Sequence, residues 1–193
     1  MKTETTSDSS CREGKSGASL KVFAFGNPFA GDDAAGPALL EGLRDACSSA
    51  CKFHLLRQPG LELLPLLRSG DVVLFIDAVE SGAPAGTLHL IPLPSPGLAA
   101  RALGSLSGHG WGLTETIDLA RALGEPLPRM MLLGIELGQT EHGAPRSRAV
   151  EEALITVQEN FSRLCALLRE EESLVWRLPL SFPPGDRSFP GVL

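Results

Sequence analysis

The sequence predicts a three-layer α/β/α domain in which helices cover both faces of a mostly parallel sheet. Three observations lead there. Short apolar runs rich in β-formers alternate with longer stretches whose apolar residues recur at three and four. One run, DVVLFIDAV at 71–79, is almost wholly apolar, as a strand covered on both faces must be. The C-terminal stretch SRAVEEALITVQENFSRLCALLREE carries Val150, Leu154, Val157, Phe161, Leu164 and Leu168 on one stripe that can pack on a sheet.

Taken in order, LKVFAFG (20–26) is the first strand, followed by the loop NPFAGDD and the helical stretch AAGPALLEGLRDACSSA, where Ala38, Leu39, Leu43 and Ala46 share a face. FHLLR (53–57) is a second strand. LELLPLLRSG reads as a short helix, with Pro65 near its first turn and Gly70 as its stop. The 71–79 run is the third strand. GTLHLIPL (86–93) follows it through the turn ESGAPA, which predicts a hairpin-like antiparallel pairing with that third strand. After PSPG come a helix, LTETIDLARALG, then the strand MMLLGIEL (130–137) and the long last helix. The expected division is a polar tail at 1–18, one α/β domain at 19–170, and a tail at 171–193 too rich in Pro and Gly for regular structure.

Composition narrows the function. The chain has 193 residues, 43% of them hydrophobic, which is enough for one buried core. A net charge of −6 argues against a protein that must neutralise phosphates, so no nucleic-acid partner is expected. No apolar run approaches the length of a membrane span, and residues 1–19 contain no apolar signal region, so the expected location is cytoplasmic. Cys11, Cys47, Cys51 and Cys165 are then read as free thiols. Cys47, Cys51 and His54 have a spacing that could suggest zinc, but no fourth ligand stands out, and helix-end cysteines are the better reading.

In open α/β sheets, ligands bind beyond the carboxyl ends of the strands. Asp32 and Asp33 follow the first strand, in GNPFAGDDAAG; Asp77 sits late in the third, where a charge needs a reason; His109 lies in the glycine-flanked loop LGSLSGHGWGL before a helix. Two carboxylates and an imidazole suit nickel, zinc or manganese better than calcium. Each also has a plain reading. Asp33 can be the N-cap of the helix behind it, Asp77 a hydrogen-bond acceptor for a neighbouring loop, and His109 an ordinary loop histidine. His54, His89 and His142 are read as non-ligands.

The blocks GNPFAGDDAAGPALLEGL, VVLFIDAV and SGHGWGLTETIDLA resemble, in order and spacing, the three signature blocks of the hydrogenase maturation endopeptidases. The resemblance covers about residues 20–170. It implies a mixed five-stranded sheet between helices, with one strand antiparallel. It also implies removal of a C-terminal extension from the large-subunit precursor of a [NiFe] hydrogenase after nickel insertion. In that family an acid of the first block, the strand-end aspartate and the loop histidine contact the metal, which here are Asp33, Asp77 and His109. Gly26, Asn27 and Gly31 would shape the first turn, so that Asp32 and Asp33 form a carboxylate pair aimed at a metal. Either of them could serve as general base on water, and Glu136 or Glu115 could support the imidazole. The resemblance departs after the second strand, where Gln58, Pro59 and Gly60 stand in place of a Gly-Gly-Thr-like turn, as in the branch that acts on cytoplasmic, bidirectional or cofactor-reducing hydrogenases. Nickel would arrive with the substrate, no permanent organic cofactor is expected, and the chain would act as a monomer.

Two other classes stand beside this one. A non-catalytic, chaperone-like nickel-binding module for hydrogenase assembly would use the same residues. A nucleotide- or flavin-binding domain would need G-x-G-x-x-G or a P-loop lysine, and neither is present. Nor is there a G-x-S-x-G elbow or an H-E-x-x-H helix, so direct attack by water is the simpler chemistry, with metal-activated water the alternative.

Overall fold

The computed structural model describes residues 19–47, 51–94, 112–177 and 179–190. His109 and the N-terminal segment 1–18 therefore lie outside the described residues. The elements are β1 (Leu20–Ala24), α1 (Ala35–Cys47), β2 (Cys51–Leu55), β3 (Val72–Val79), β4 (Leu88–Leu93), α2 (Leu113–Ala122), β5 (Arg129–Glu136), α3 (Arg148–Arg169) and β6 (Leu180–Phe182). They build one sheet of order β2-β1-β3-β5-β4-β6. Strands β2, β1, β3 and β5 are parallel, and β4 is antiparallel to both β5 and β6.

Alternation along the strands divides the core into two layers. Val22, Ala24, Leu74, Ile76 and Leu133 face α1 and α3, whose Leu39, Leu43, Val157, Phe161 and Leu164 lie in the same cluster. Phe23, Phe25, Val73, Phe75 and Leu132 face the other way, against Leu113 and Ile117 of α2 and Leu63 and Leu67 of the segment after β2. Every residue of β3 is buried, because parallel partners flank it and helical layers cover both faces. The predicted α3 stripe is buried at all six positions, and Ser147 caps the helix by accepting from the Val150 N–H at 3.4 Å. Among the described residues no helix is long and apolar enough to cross a membrane.

Three expectations are corrected. The predicted hairpin does not form: β4 is antiparallel, but it pairs with β5, which lies between it and β3. Glu136 at the end of β5 helps hold that arrangement. Its carboxylate accepts from the N–H groups of Ser81, Gly82 and Ala83, which draws the β3–β4 loop across the end of β5. The sheet has six strands rather than five, since the Pro- and Gly-rich C-terminal segment contributes β6 and buries Phe182 and Phe189, packed edge to face. The segment LELLPL is a 3-10 turn rather than an α-helix, because Pro65 has no N–H with which to continue one.

Candidate functional site

The carboxyl ends of β1 and β3 adjoin, with the Phe25 N–H donating to the Ile76 carbonyl at 2.9 Å. The chain then leaves β1 through a turn that only glycine permits. Gly26 has φ +130°, and a Cβ there would lie 2.1 Å from the Asp33 carbonyl oxygen. Gly36, in the first turn of α1, brings the helix so close that a Cβ would lie 2.1 Å from the Phe25 carbonyl. The predicted first-block residues thus wrap tightly over the ends of β1 and β3. Gly26→Ala should destabilise the fold by roughly 2–4 kcal/mol, through backbone strain and a clash with backbone that cannot retreat. Urea unfolding would measure it, and a loss below about 1 kcal/mol would mean the turn is not held as tightly as the contacts require.

The adjacent aspartates have different fates. Asp32 is fully buried: its Oδ2 accepts from the N–H groups of Gly138 and Gln139 at 2.8 and 3.0 Å, and its Oδ1 from that of Ser147 at 2.6 Å. Its own N–H donates to the Gln139 carbonyl at 2.8 Å. Asp32 therefore ties the first loop to the β5–α3 loop, an attachment extended by the Ala30–His142 bridge and the bond from the Gly143 N–H to the Phe29 carbonyl. A carboxylate engaged on both oxygens is a structural fixture, and the expected pair separates into a fixture and a less engaged acid. Asp33 is the less engaged one, its carboxylate accepting a single hydrogen bond among the described residues. It is partly exposed, its Oδ2 accepts from the Asn27 N–H at 3.0 Å, and burial raises its pKa despite that bond. The Asn27 side chain in turn accepts from the Phe29 N–H at 3.1 Å, which closes the turn. Asp33 lies inside the 3-10 turn Gly31–Ala34 that leads into α1, and the N-cap of that turn is Ala30.

Asp77 stands opposite Gly134 of β5, on the face of β3 that carries Val73 and Phe75, and is 8% exposed. Burial first, and the nearby Asp33 charge second, push its carboxyl up to about 8, against a lowering contribution from the Ala78 N–H. Among the described residues no cationic side chain makes an ion pair with Asp33 or Asp77.

Glu136 is the fourth acid of this edge and is 1% exposed. Besides the three N–H groups of the β3–β4 loop, it accepts from the Ser81 hydroxyl at 2.7 Å and lies 3.1 Å from Nε2 of His89, whose Nδ1 is 2.8 Å from the Ser181 hydroxyl. Gln58 is exposed and Gly60 partly buried, both on the loop that follows β2 at the same edge. Glu115 is exposed on α2. Sequence reasoning missed the roles of Ser81, Ser147 and His89 as partners of buried acids. The detectable signal was a buried-type strand, GIEL, ending in glutamate, which requires several donors. His54 is half-buried on β2, its ring stacked on Phe23 at 4.6 Å.

Of the four acids at this edge, Asp32 and Glu136 are held on both oxygens by hydrogen-bond donors, whereas Asp33 and Asp77 have no cationic partner among the described residues. Fold and edge define the class: an open-sheet α/β protein presenting carboxylates, in place of a phosphate cradle, where the strands end. The chain belongs to the hydrogenase maturation protease family, whose model matches residues 58–163, more than half of its length. It is 28% identical over 121 residues to the hydrogenase expression/formation protein HupD of Thiocapsa roseopersicina, covering 61% of this chain and 53% of that one. The chain thus spans about half the length of this curated relative. Several solved structures share the fold. The hydrogenase maturating endopeptidase HybD from E. coli superposes with TM-score 0.65 at 23% identity, over 87% of this chain and 99% of that one. The [NiFe] hydrogenase maturation protease HycI from Thermococcus kodakarensis does so with TM-score 0.59 at 20% identity, over 77% and 93%.

Proposed function

We propose that this chain is an endopeptidase that removes the C-terminal extension of a [NiFe] hydrogenase large-subunit precursor, and that nickel already held by the precursor is what it recognises. The observation that carries this reading is the contrast among the four acids. A buried carboxyl beside a second carboxylate, without a cationic partner among the described residues, is a costly arrangement that a divalent cation relieves. The donor set, two carboxylates with His109 of the third signature block, fits a borderline cation such as nickel.

Asp77 and Asp33 bind the metal-loaded end of the precursor and so orient the scissile bond, which couples cleavage to prior nickel insertion. Water then adds to the peptide carbonyl as a base takes its proton, and the proton passes to the leaving amine. Asp32 is unsuited to be that base, because both its oxygens are already acceptors. Asp33, partly exposed and with a raised pKa, is the better one once its carboxylate is released from the metal. The reaction takes place in the cytoplasm, through a transient one-to-one encounter of a monomer with its precursor.

Intact-mass analysis of the precursor, with and without nickel, after incubation with the natural chain or Asp33→Asn, tests the reading. Loss of a C-terminal peptide only with nickel and only with the natural chain is the expected result. Cleavage regardless of nickel would overturn the recognition role. An unchanged mass with a nickel-loaded, competent precursor would point instead to a binding-only assembly module.

A further inference from the structure

Cys51 and Cys165 lie at the other end of the molecule. Cys51, expected at a helix end, instead opens β2, an edge strand, and pairs with Leu20 at the amino end of β1, away from the acids at the carboxyl ends. Cys165 is on the buried stripe of α3. Their sulfurs are 3.9 Å apart although 114 residues separate them in sequence. One turn back along the helix and two residues along the strand, the Phe161 and Phe53 rings meet at 6.3 Å, so strand and helix are held together at two successive levels. Both thiols belong to the buried cluster between the sheet and α3, with Cys51 9% and Cys165 5% exposed.

We infer that Cys51 and Cys165 form a reversible dithiol–disulfide pair, oxidised by small peroxides, that fastens β2 to α3. The geometry requires little movement. A disulfide needs the sulfurs about 2 Å closer than they stand, within reach of small side-chain rotations on two elements already in contact. The chemistry is favoured by the surroundings. The contact with Cys165, then the Arg169 charge, bring the Cys51 thiol down to about 7, so a substantial share is thiolate at neutral pH. The Cys51 thiolate attacks one peroxide oxygen and expels hydroxide, giving a sulfenic acid. The Cys165 sulfur then attacks the Cys51 sulfur, and the sulfenic hydroxyl leaves as water with the Cys165 proton. In sum, two thiols and one hydrogen peroxide give one disulfide and two waters. Because the bridge closes a long loop, it should restrict the unfolded chain strongly.

The test uses the full chain with Cys11→Ser and Cys47→Ser, which leaves Cys51 and Cys165 as the sole thiols. With stoichiometric hydrogen peroxide, the monomer should lose the mass of two hydrogen atoms, regain it with dithiothreitol, and melt roughly 5–10 °C higher when oxidised. If both thiols still titrate, if the product is a linked dimer or an oxygenated Cys51, or if the melting point does not rise, the inference is wrong. Should the double variant fail to fold, fragment mapping of the oxidised natural chain decides the same point: a Cys51–Cys165 link supports the pair, and any other link excludes it.

Discussion

Asp77→Asn is expected to yield a chain that is more stable than the natural one near pH 8 and yet unable to process its precursor. In the folded protein, burial and the Asp33 charge push the Asp77 carboxyl up to about 8, whereas the unfolded chain has the ordinary value of 3.8. Between those values the folded state holds a proton that the unfolded state has released. Stability attributable to this group is therefore full below pH 3.8 and falls by about 1.4 kcal/mol per pH unit until pH 8. Asparagine has no proton to lose, so the variant should be free of this slope and melt several degrees higher at the alkaline end. On the proposed function the same substitution would remove an anionic contact to the precursor's metal, and precursor cleavage should fall by roughly 10³-fold or more. The natural chain's affinity for a divalent cation should rise with pH up to about 8, because the proton competes for the same oxygen. Thermal melts from pH 5 to 9 decide the matter. If the two proteins change in parallel, Asp77 is not the strained acid of this site.

Asp32→Ala is expected to do the opposite, costing roughly 3–5 kcal/mol of stability and lowering the melting point by on the order of 10 °C. The substitution leaves the N–H groups of Gly138, Gln139 and Ser147 without their acceptor, in a position that is fully buried. It also removes a negative charge from the start of α3, where the helix dipole favours one. Asp32→Asn keeps one acceptor oxygen but turns an amide donor towards backbone donors, so it should recover only part of the loss. Urea unfolding of the three proteins would measure this series. A cost below about 1 kcal/mol for Asp32→Ala would show that the first loop is not held by this carboxylate.

The two substitutions separate residues that stand side by side and look alike in the sequence. Nothing local distinguishes Asp32 from Asp33. Asp32 is committed because Gly138, Gln139 and Ser147, more than a hundred residues later, pass over it with their N–H groups inward. Glu136 is similar: its position at the end of a buried strand was readable, but its partners lie on a loop some fifty residues earlier. Strand order was hidden for a related reason. Antiparallel direction is written in the short ESGAPA connection, but the neighbour of β4 is not, and Glu136 helps hold that loop across the end of β5. The three residues of β6 carry no periodic signal, and they form a strand only because β4 offers an open edge.

By itself, the sequence determined the α/β class, the buried third strand, the α3 stripe and the glycine-shaped first turn. Those follow from periodicity and backbone sterics, which act between near neighbours. Tertiary structure alone decided which acids are held on both oxygens by donors and which, among the described residues, have no cationic partner, because the donors that satisfy a buried carboxylate come from wherever the chain happens to pass.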